Sequence, residues 1–204
     1  MSLRLTKRAV LAAAGALAGG RVLADEAVPV RPKLILTTAL GPITLELASD
    51  KAPISCANFL RYADHKRLDG AHFYRAMKSN PDPLEGLIQG GAGTDGSRLY
   101  PPIAHESTTQ TGLKHVDGTV SLARLAPGTA TCEFFICIGA QPYLDADPTQ
   151  PGDNLGFAAF GRVVEGMDVA RKILLAPTSP TEGEGAMKGQ MLEPPIAILT
   201  ARSA

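Results

Sequence analysis

The sequence predicts a mainly β fold: a closed β-barrel plugged by helices. Three observations carry this. Short runs of alternating apolar residues recur along the chain, separated by turn-forming residues. The 204 residues include 21 Gly and 16 Pro, which favours many turns over a helical bundle. Helical spacing is confined to two segments, 53–66 and 166–175. The length suits one domain with a sizeable core, and with no Trp and 5% aromatics that core must be mostly aliphatic.

The elements follow in order. Lys33 to Thr38, Gly41-Pro42 and Ile43 to Leu47 read as a hairpin, with Leu34 and Leu36 alternating on one arm and Ile43, Leu45 and Leu47 on the other. Residues 53–66 read as a helix. Pro53 suits the first turn, and Cys56, Phe59, Leu60 and Ala63 recur at spacings of three and four. A strand over His72–Met77 precedes a polar loop from Lys78 to Pro83. A short strand then ends in Leu87-Ile88-Gln89. Residues 90–118, rich in Gly, Thr and Pro, predict a long functional loop. Strands follow at Gly118–Arg124, Glu133–Ile138, Phe157–Val164 and 191–200. A loop lies at 145–156 and the second helix at Gly166–Leu175.

The N-terminus is a different object. Arg4, Lys7 and Arg8 form a positive region, Ala9 to Ala18 an apolar stretch, and Val22-Leu23-Ala24 a plausible cleavage site. Residues 1–24 are expected to be a cleaved signal peptide, 25–32 a short tether and 33–204 the functional domain. The apolar run is too short for a stable membrane anchor. The segment holds four of the 20 bases and no acids, so cleavage leaves 16 bases against 20 acids, net −4. That balance argues against nucleic acid as a partner. Cys56, Cys132 and Cys137 show no metal-like spacing and are read as buried thiols. Cys132 and Cys137, five apart on a strand, should face opposite ways.

Arg75 is the awkward residue. Strict alternation places Phe73, Arg75 and Met77 on one strand face, with His72, Tyr74 and Ala76 on the other. A guanidinium among Phe and Met is costly to bury without partners, and it cannot shed its charge. Either it reaches solvent from an edge strand, or it is a fixed donor in an apolar pocket. Other chemistry finds little support. Gly91-Ala92-Gly93-Thr94-Asp95-Gly96 fits the dinucleotide pattern, but Pro101-Pro102 follows where a helix is required. No G-x-S-x-G elbow occurs, and His65, His72, His105 and His115 share no metal-ligand spacing.

Four segments are informative together: Phe73-Tyr74-Arg75, Ile88-Gln89-Gly90-Gly91, Glu133-Phe134-Phe135-Ile136, and Phe160 to Val169. In this order the chain resembles the cyclophilin family of peptidyl-prolyl cis-trans isomerases over about residues 33–200. Gly183 to Met187 and the 145–156 loop look like the bacterial branch, and the N-terminal signal pattern makes an exported member the expectation. The resemblance implies a closed eight-stranded antiparallel barrel capped by two α-helices, with the site on the outer face. It implies Arg75 as catalytic donor and Gln89 as its orienting partner. Phe135, Leu87 and Leu144 would line a proline pocket supported by Phe73. The backbone of Ala123 and Arg124 would pair with the peptide. Glu133, Tyr143 and Phe157 complete the expected binding set. No metal and no cofactor is implied.

Departures from the family pattern are part of the expectation. Gly86 stands where many members carry Phe, Glu133 where Gln is common, and Arg124 where Asn is usual. Tyr143 replaces Trp and Phe157 replaces His, which implies weak cyclosporin binding. Glu133 introduces a carboxylate within possible reach of Arg75 or Arg124. The implied activity is X-Pro isomerisation in exported proteins, in the periplasm or outside the cell. The expected partners are proline-containing unfolded or extended polypeptides, with no nucleic acid, no membrane in the mature form, and a monomeric state. The alternatives are a periplasmic proline-peptide-binding or chaperone module with little turnover, and a small-ligand barrel carrier.

Overall fold

A computed structural model describes residues 31–204 other than 80 and 94. The expected signal peptide, and most of the expected tether, lie outside the described residues. The last two tether residues are docked on the fold. Arg31 pairs with Asp50 at 2.9 Å, and the Pro32 carbonyl accepts from Leu47 N–H at 2.8 Å.

The strands are β1 (Lys33–Thr38), β2 (Gly41–Leu47), β3 (Ala71–Lys78), β4 (Gly86–Gly91), β5 (Thr119–Leu122), β6 (Phe134–Ile138), β7 (Ala158–Glu165), β8 (Thr178–Ser179) and β9 (Met191–Ser203). The helices are α1 (Pro53–Asp64), α2 (Thr108–Thr111) and α3 (Met167–Leu174). Sheet order runs β1-β2-β7-β5-β6-β4-β3-β9, and β1 pairs with β9 to close an eight-stranded antiparallel barrel. The two-residue β8 adds to β9. Neither β8 nor the one-turn α2 has enough sequence to show a period, and neither is among the expected elements.

Inward residues of the hairpin, Leu34, Leu36, Ile43, Leu45 and Leu47, are fully buried and meet the apolar faces of both long helices. From α1 come Cys56, Phe59, Tyr62 and Ala63; from α3 come Val169, Ala170, Ile173 and Leu174. The interior is thus a packed core, which removes the ligand-carrier reading. Helix α1 starts at Pro53 as expected but lacks a local side-chain cap. Its first free N–H groups, on Ile54 and Ser55, donate to the buried Glu106 carboxylate from the long loop at 3.1 and 2.8 Å. All three cysteines are free and buried.

One local irregularity decides where the site lies. Pairing of β3 with β4 steps from Phe73↔Gly90 to Arg75↔Gln89, so Tyr74 is an extra, unmatched residue. This bulge corrects the simple alternation. Phe73 and Ala76 both point into the core, while Arg75 and Met77 turn outward. The extra residue lets a strand that is apolar on its inner side present a guanidinium outside, at no cost in core burial.

Candidate functional site

Arg75 opens onto a cleft of about 400 Å³ on the outer face of the barrel. Strands β3, β4 and β6 form its floor, because Met77↔Leu87 and Leu87↔Cys137 are facing pairs. Leu87, Phe135, Cys137 and Leu144 make a small buried cluster separate from the barrel core, with Met77, Ala123 and Phe157 packed on it. Phe135 and Phe157 meet edge to face with centroids 5.4 Å apart.

Phe135 is backed by a buried polar group. His115 stacks on it at 5.8 Å, and His115 Nδ1 lies 2.7 Å from Asp145 Oδ1 while Nε2 lies 3.0 Å from Ser121 Oγ. Asp145 can only accept, so Nδ1 carries the proton and Nε2 accepts from the serine hydroxyl. Ser121 is wholly buried, so this Ser-His-Asp set braces the cleft wall and presents no nucleophile. Burial holds the His115 imidazole below its ordinary pKa, against the pull of Asp145.

The guanidinium is gripped on two sides. Arg75 Nε donates to Gln190 Oε1 at 2.9 Å and Nη1 to Gln89 Oε1 at 2.8 Å. Both N–H groups of Nη2 are free of partners among the described residues and border the cleft. No carboxylate among the described residues touches the group. Burial lowers its pKa, yet arginine remains charged at any working pH. Gln190 is held in turn by donating to the Ala186 carbonyl at 2.8 Å. Nothing in the sequence around Gln190 marks it. It arrives because β9 runs beside β3, where Ala76 N–H donates to the Gln190 carbonyl at 2.9 Å.

Arg124 has a different task. Its guanidinium forks onto Asp153 at 2.8 and 2.9 Å and also reaches the Gly156 carbonyl at 2.6 and 2.9 Å. It pins the 145–156 loop, and with it Phe157, to the end of β5; Asp153 is held down to about 2 by this contact. The Ala123 N–H is already taken by the Glu133 carbonyl at 2.8 Å. The Ala123 carbonyl and the Arg124 N–H have no partners among the described residues, so this edge has one acceptor and one donor open to an extended chain.

Of the expected site residues, Arg75, Gln89, Leu87, Ala123, Arg124, Phe135, Tyr143, Leu144 and Phe157 line one cleft. Two do not. Phe73 faces the barrel interior, edge-on to Phe134 at 5.5 Å, because of the bulge at Tyr74. Glu133 lies beside an adjoining recess, and its carboxylate binds neither Arg75 nor Arg124. Oε2 accepts from Tyr74 Oη at 2.6 Å and Oε1 from Gly93 N–H at 2.9 Å. The cleft also takes in Met77, Leu125 and Met187, which motif spacing did not single out. Tyr143 stands exposed at the rim with its hydroxyl turned to Met77 Sδ at 3.8 Å. Gly86 cannot be replaced by Phe on this backbone. Its φ is +144°, and a Cβ there would fall 1.9 Å from the Met77 carbonyl oxygen.

Comparisons with known proteins give the family and the fold. Residues 33–201 match the family described as cyclophilin type peptidyl-prolyl cis-trans isomerase/CLD. A peptidyl-prolyl cis-trans isomerase of Acinetobacter baylyi is 34% identical over 179 residues, covering 86% of each chain. Peptidyl-prolyl cis-trans isomerase A of Dickeya dadantii is 34% identical over 144 residues, covering 69% of this chain and 70% of that one. Among solved structures, a cyclophilin-type isomerase of Cryptosporidium parvum superposes with a TM-score of 0.67 at 20% identity, covering 86% of this chain and 98% of its own. A second structure of that protein, determined with the dipeptide Ala-Pro, gives 0.65 at 20% identity, covering 83% and 96%.

Proposed function

The chain belongs to the cyclophilin family and is a peptidyl-prolyl cis-trans isomerase, and we propose that Arg75 is its catalytic donor, acting on exported, proline-containing polypeptides. The observation that carries the assignment is the free Nη2 of a clamped guanidinium beside an apolar cleft floored by Leu87, Phe135 and Leu144.

The chemistry follows from the peptide bond. C–N resonance sets a barrier of ~18–20 kcal/mol to rotation. In the twisted transition state the prolyl nitrogen is pyramidal and its lone pair is released from conjugation. An N–H donor directed there binds that state better than either planar isomer, which is what lowers a barrier. The cleft holds the proline ring, the Ala123 carbonyl and Arg124 N–H hold the extended chain, and the far side of the bond rotates. The wall is rigid because Phe135 is braced by His115 and Phe157 by the loop that Arg124 pins.

The finding that Glu133 leaves Arg75 unpaired with any carboxylate supports turnover over a binding-only module. The Arg4, Lys7 and Arg8 region and the apolar run after it support export to the periplasm or beyond, where this single domain would act as a monomer. The test of the assignment is the rate of isomerisation of a short Ala-Pro peptide by wild type and Arg75→Ala, with a large loss expected in the variant.

A further inference from the structure

Behind Arg75 runs a chain of hydrogen bonds whose directions are forced. We propose that Glu133, acting through Tyr74, is a positioning residue that sets the orientation of the Gln89 amide and thereby the pose of the Arg75 guanidinium.

The argument is one of donors and acceptors. A carboxylate only accepts. Glu133 Oε1 is occupied by Gly93 N–H at 2.9 Å, and Oε2 faces Tyr74 Oη at 2.6 Å, so the phenol must donate to it. The phenol oxygen then has only acceptor capacity left, and Gln89 Nε2 donates to it at 2.7 Å. That leaves Gln89 Oε1 facing the other way, 2.8 Å from Arg75 Nη1. Were the amide reversed, a donor would face the guanidinium and the relay would lose its direction. With Gln190 fixed by the Ala186 carbonyl, both amides that grip Arg75 are oriented from behind.

The fold is shaped around this relay. Tyr74 is the unmatched residue of the β3 bulge, which is how its ring comes to lie next to both Gln89 and Glu133. Gly91 clears the space for the carboxylate, since a Cβ there would lie 2.2 Å from Glu133 Oε1 at a φ of +156°. Gly93 supplies the N–H that holds the other oxygen. Burial, and then the Glu133 carboxylate beside it, raise the pKa of Tyr74, so the phenol keeps its proton and remains a donor; the hydrogen bonds from Tyr74 and Gly93 favour the ionised form of Glu133 against its own burial.

The inference rests on Arg75 being the donor, and the experiment separates the two. kcat and KM for a short Ala-Pro peptide are measured by NMR exchange for wild type, Arg75→Ala, Tyr74→Phe, Glu133→Leu and the Tyr74→Phe/Glu133→Leu pair. Thermal unfolding accompanies each, and the Arg75 Nε–H resonance is followed in every protein that keeps Arg75. The relay predicts that each single relay variant loses roughly ten- to a hundredfold in kcat, with KM within about twofold of wild type. The pair should be no worse than either single, because both break one chain. Guanidinium rotation seen at the Arg75 Nε–H resonance should quicken in both. His72→Gln, in the same recess but outside the relay, should match wild type. Wild-type kcat in either single variant, additive losses, or a loss carried in KM would overturn the relay while leaving Arg75 as donor if Arg75→Ala is inactive. Full activity in Arg75→Ala would overturn the donor assignment and the relay with it.

Discussion

Replacing Arg75 by Ala removes the donor proposed to act on the prolyl nitrogen. The donor is fixed before substrate arrives, held by Gln190 at Nε and Gln89 at Nη1, so little reorganisation is needed during reaction. It is half-buried against an apolar floor, where a hydrogen bond counts for more than in water. Deleting a donor of this kind costs ~2.7–4 kcal/mol of transition-state stabilisation. At ~1.4 kcal/mol per tenfold, the expected loss in kcat is roughly a hundred- to a thousandfold. The cost to the fold is small by comparison. Arg75 points out of the barrel, and the amides it leaves border an open cleft that water can enter. The loss is expected to be about 1–2 kcal/mol, lowering Tm by about 3–6 °C in a domain of this size. Arg75→Lys is the second variant. It keeps the charge, but an ammonium's three donors radiate from one atom, so they cannot reproduce the planar fork that holds Gln89 and Gln190 while aiming Nη2 at the cleft, and its rate should lie between the other two. The measurement is isomerisation of an Ala-Pro peptide, by NMR exchange or a protease-coupled assay, beside thermal unfolding. A rate near wild type in Arg75→Ala, or full activity in Arg75→Lys, would refute the reasoning.

Three other outcomes are expected. His115 is neutral in the fold because burial lowers its pKa from the ordinary 6.5. The unfolded chain takes up a proton there near that value, so stability is present above it and falls as pH drops through the lowered value. Urea midpoints at pH 7 and pH 5 should differ less in His115→Asn than in wild type; an unchanged pH dependence would show that the imidazole is not the group responsible. Tyr143 presents no indole N–H at the cleft rim, so cyclosporin should inhibit weakly; a tight stoichiometric titration of activity would contradict this. For export, N-terminal sequencing of the protein recovered outside the cytoplasm should begin near Asp25, and finding Met1 intact there would remove the proposal.

The barrel and most of the cleft lining were legible in local patterns and ordered segments. Alternation over Leu34–Leu36 and Ile43–Leu47 and the three-and-four spacing over Cys56–Ala63 are local periods, and a strand or helix buries whatever its period places on one face. The ordered segments around Arg75, Gln89 and Phe135 identified the cleft because strands β3, β4 and β6, which carry them, are neighbours in the sheet. The tertiary structure decided the rest. Whether Phe73 shares a face with Arg75 depends on a bulge at Tyr74, which is a property of pairing with β4 and leaves no mark in the period of β3 itself. Gln190 reaches Arg75 across 115 residues and Asp153 reaches Arg124 across 29, so no local pattern could announce either. The same holds for Glu133, whose carboxylate met Tyr74 where the sequence had left Arg75 and Arg124 as its candidate partners. A permanent charge on an apolar strand was legible as a demand for partners; which partners answered it depended on which strands closed the barrel.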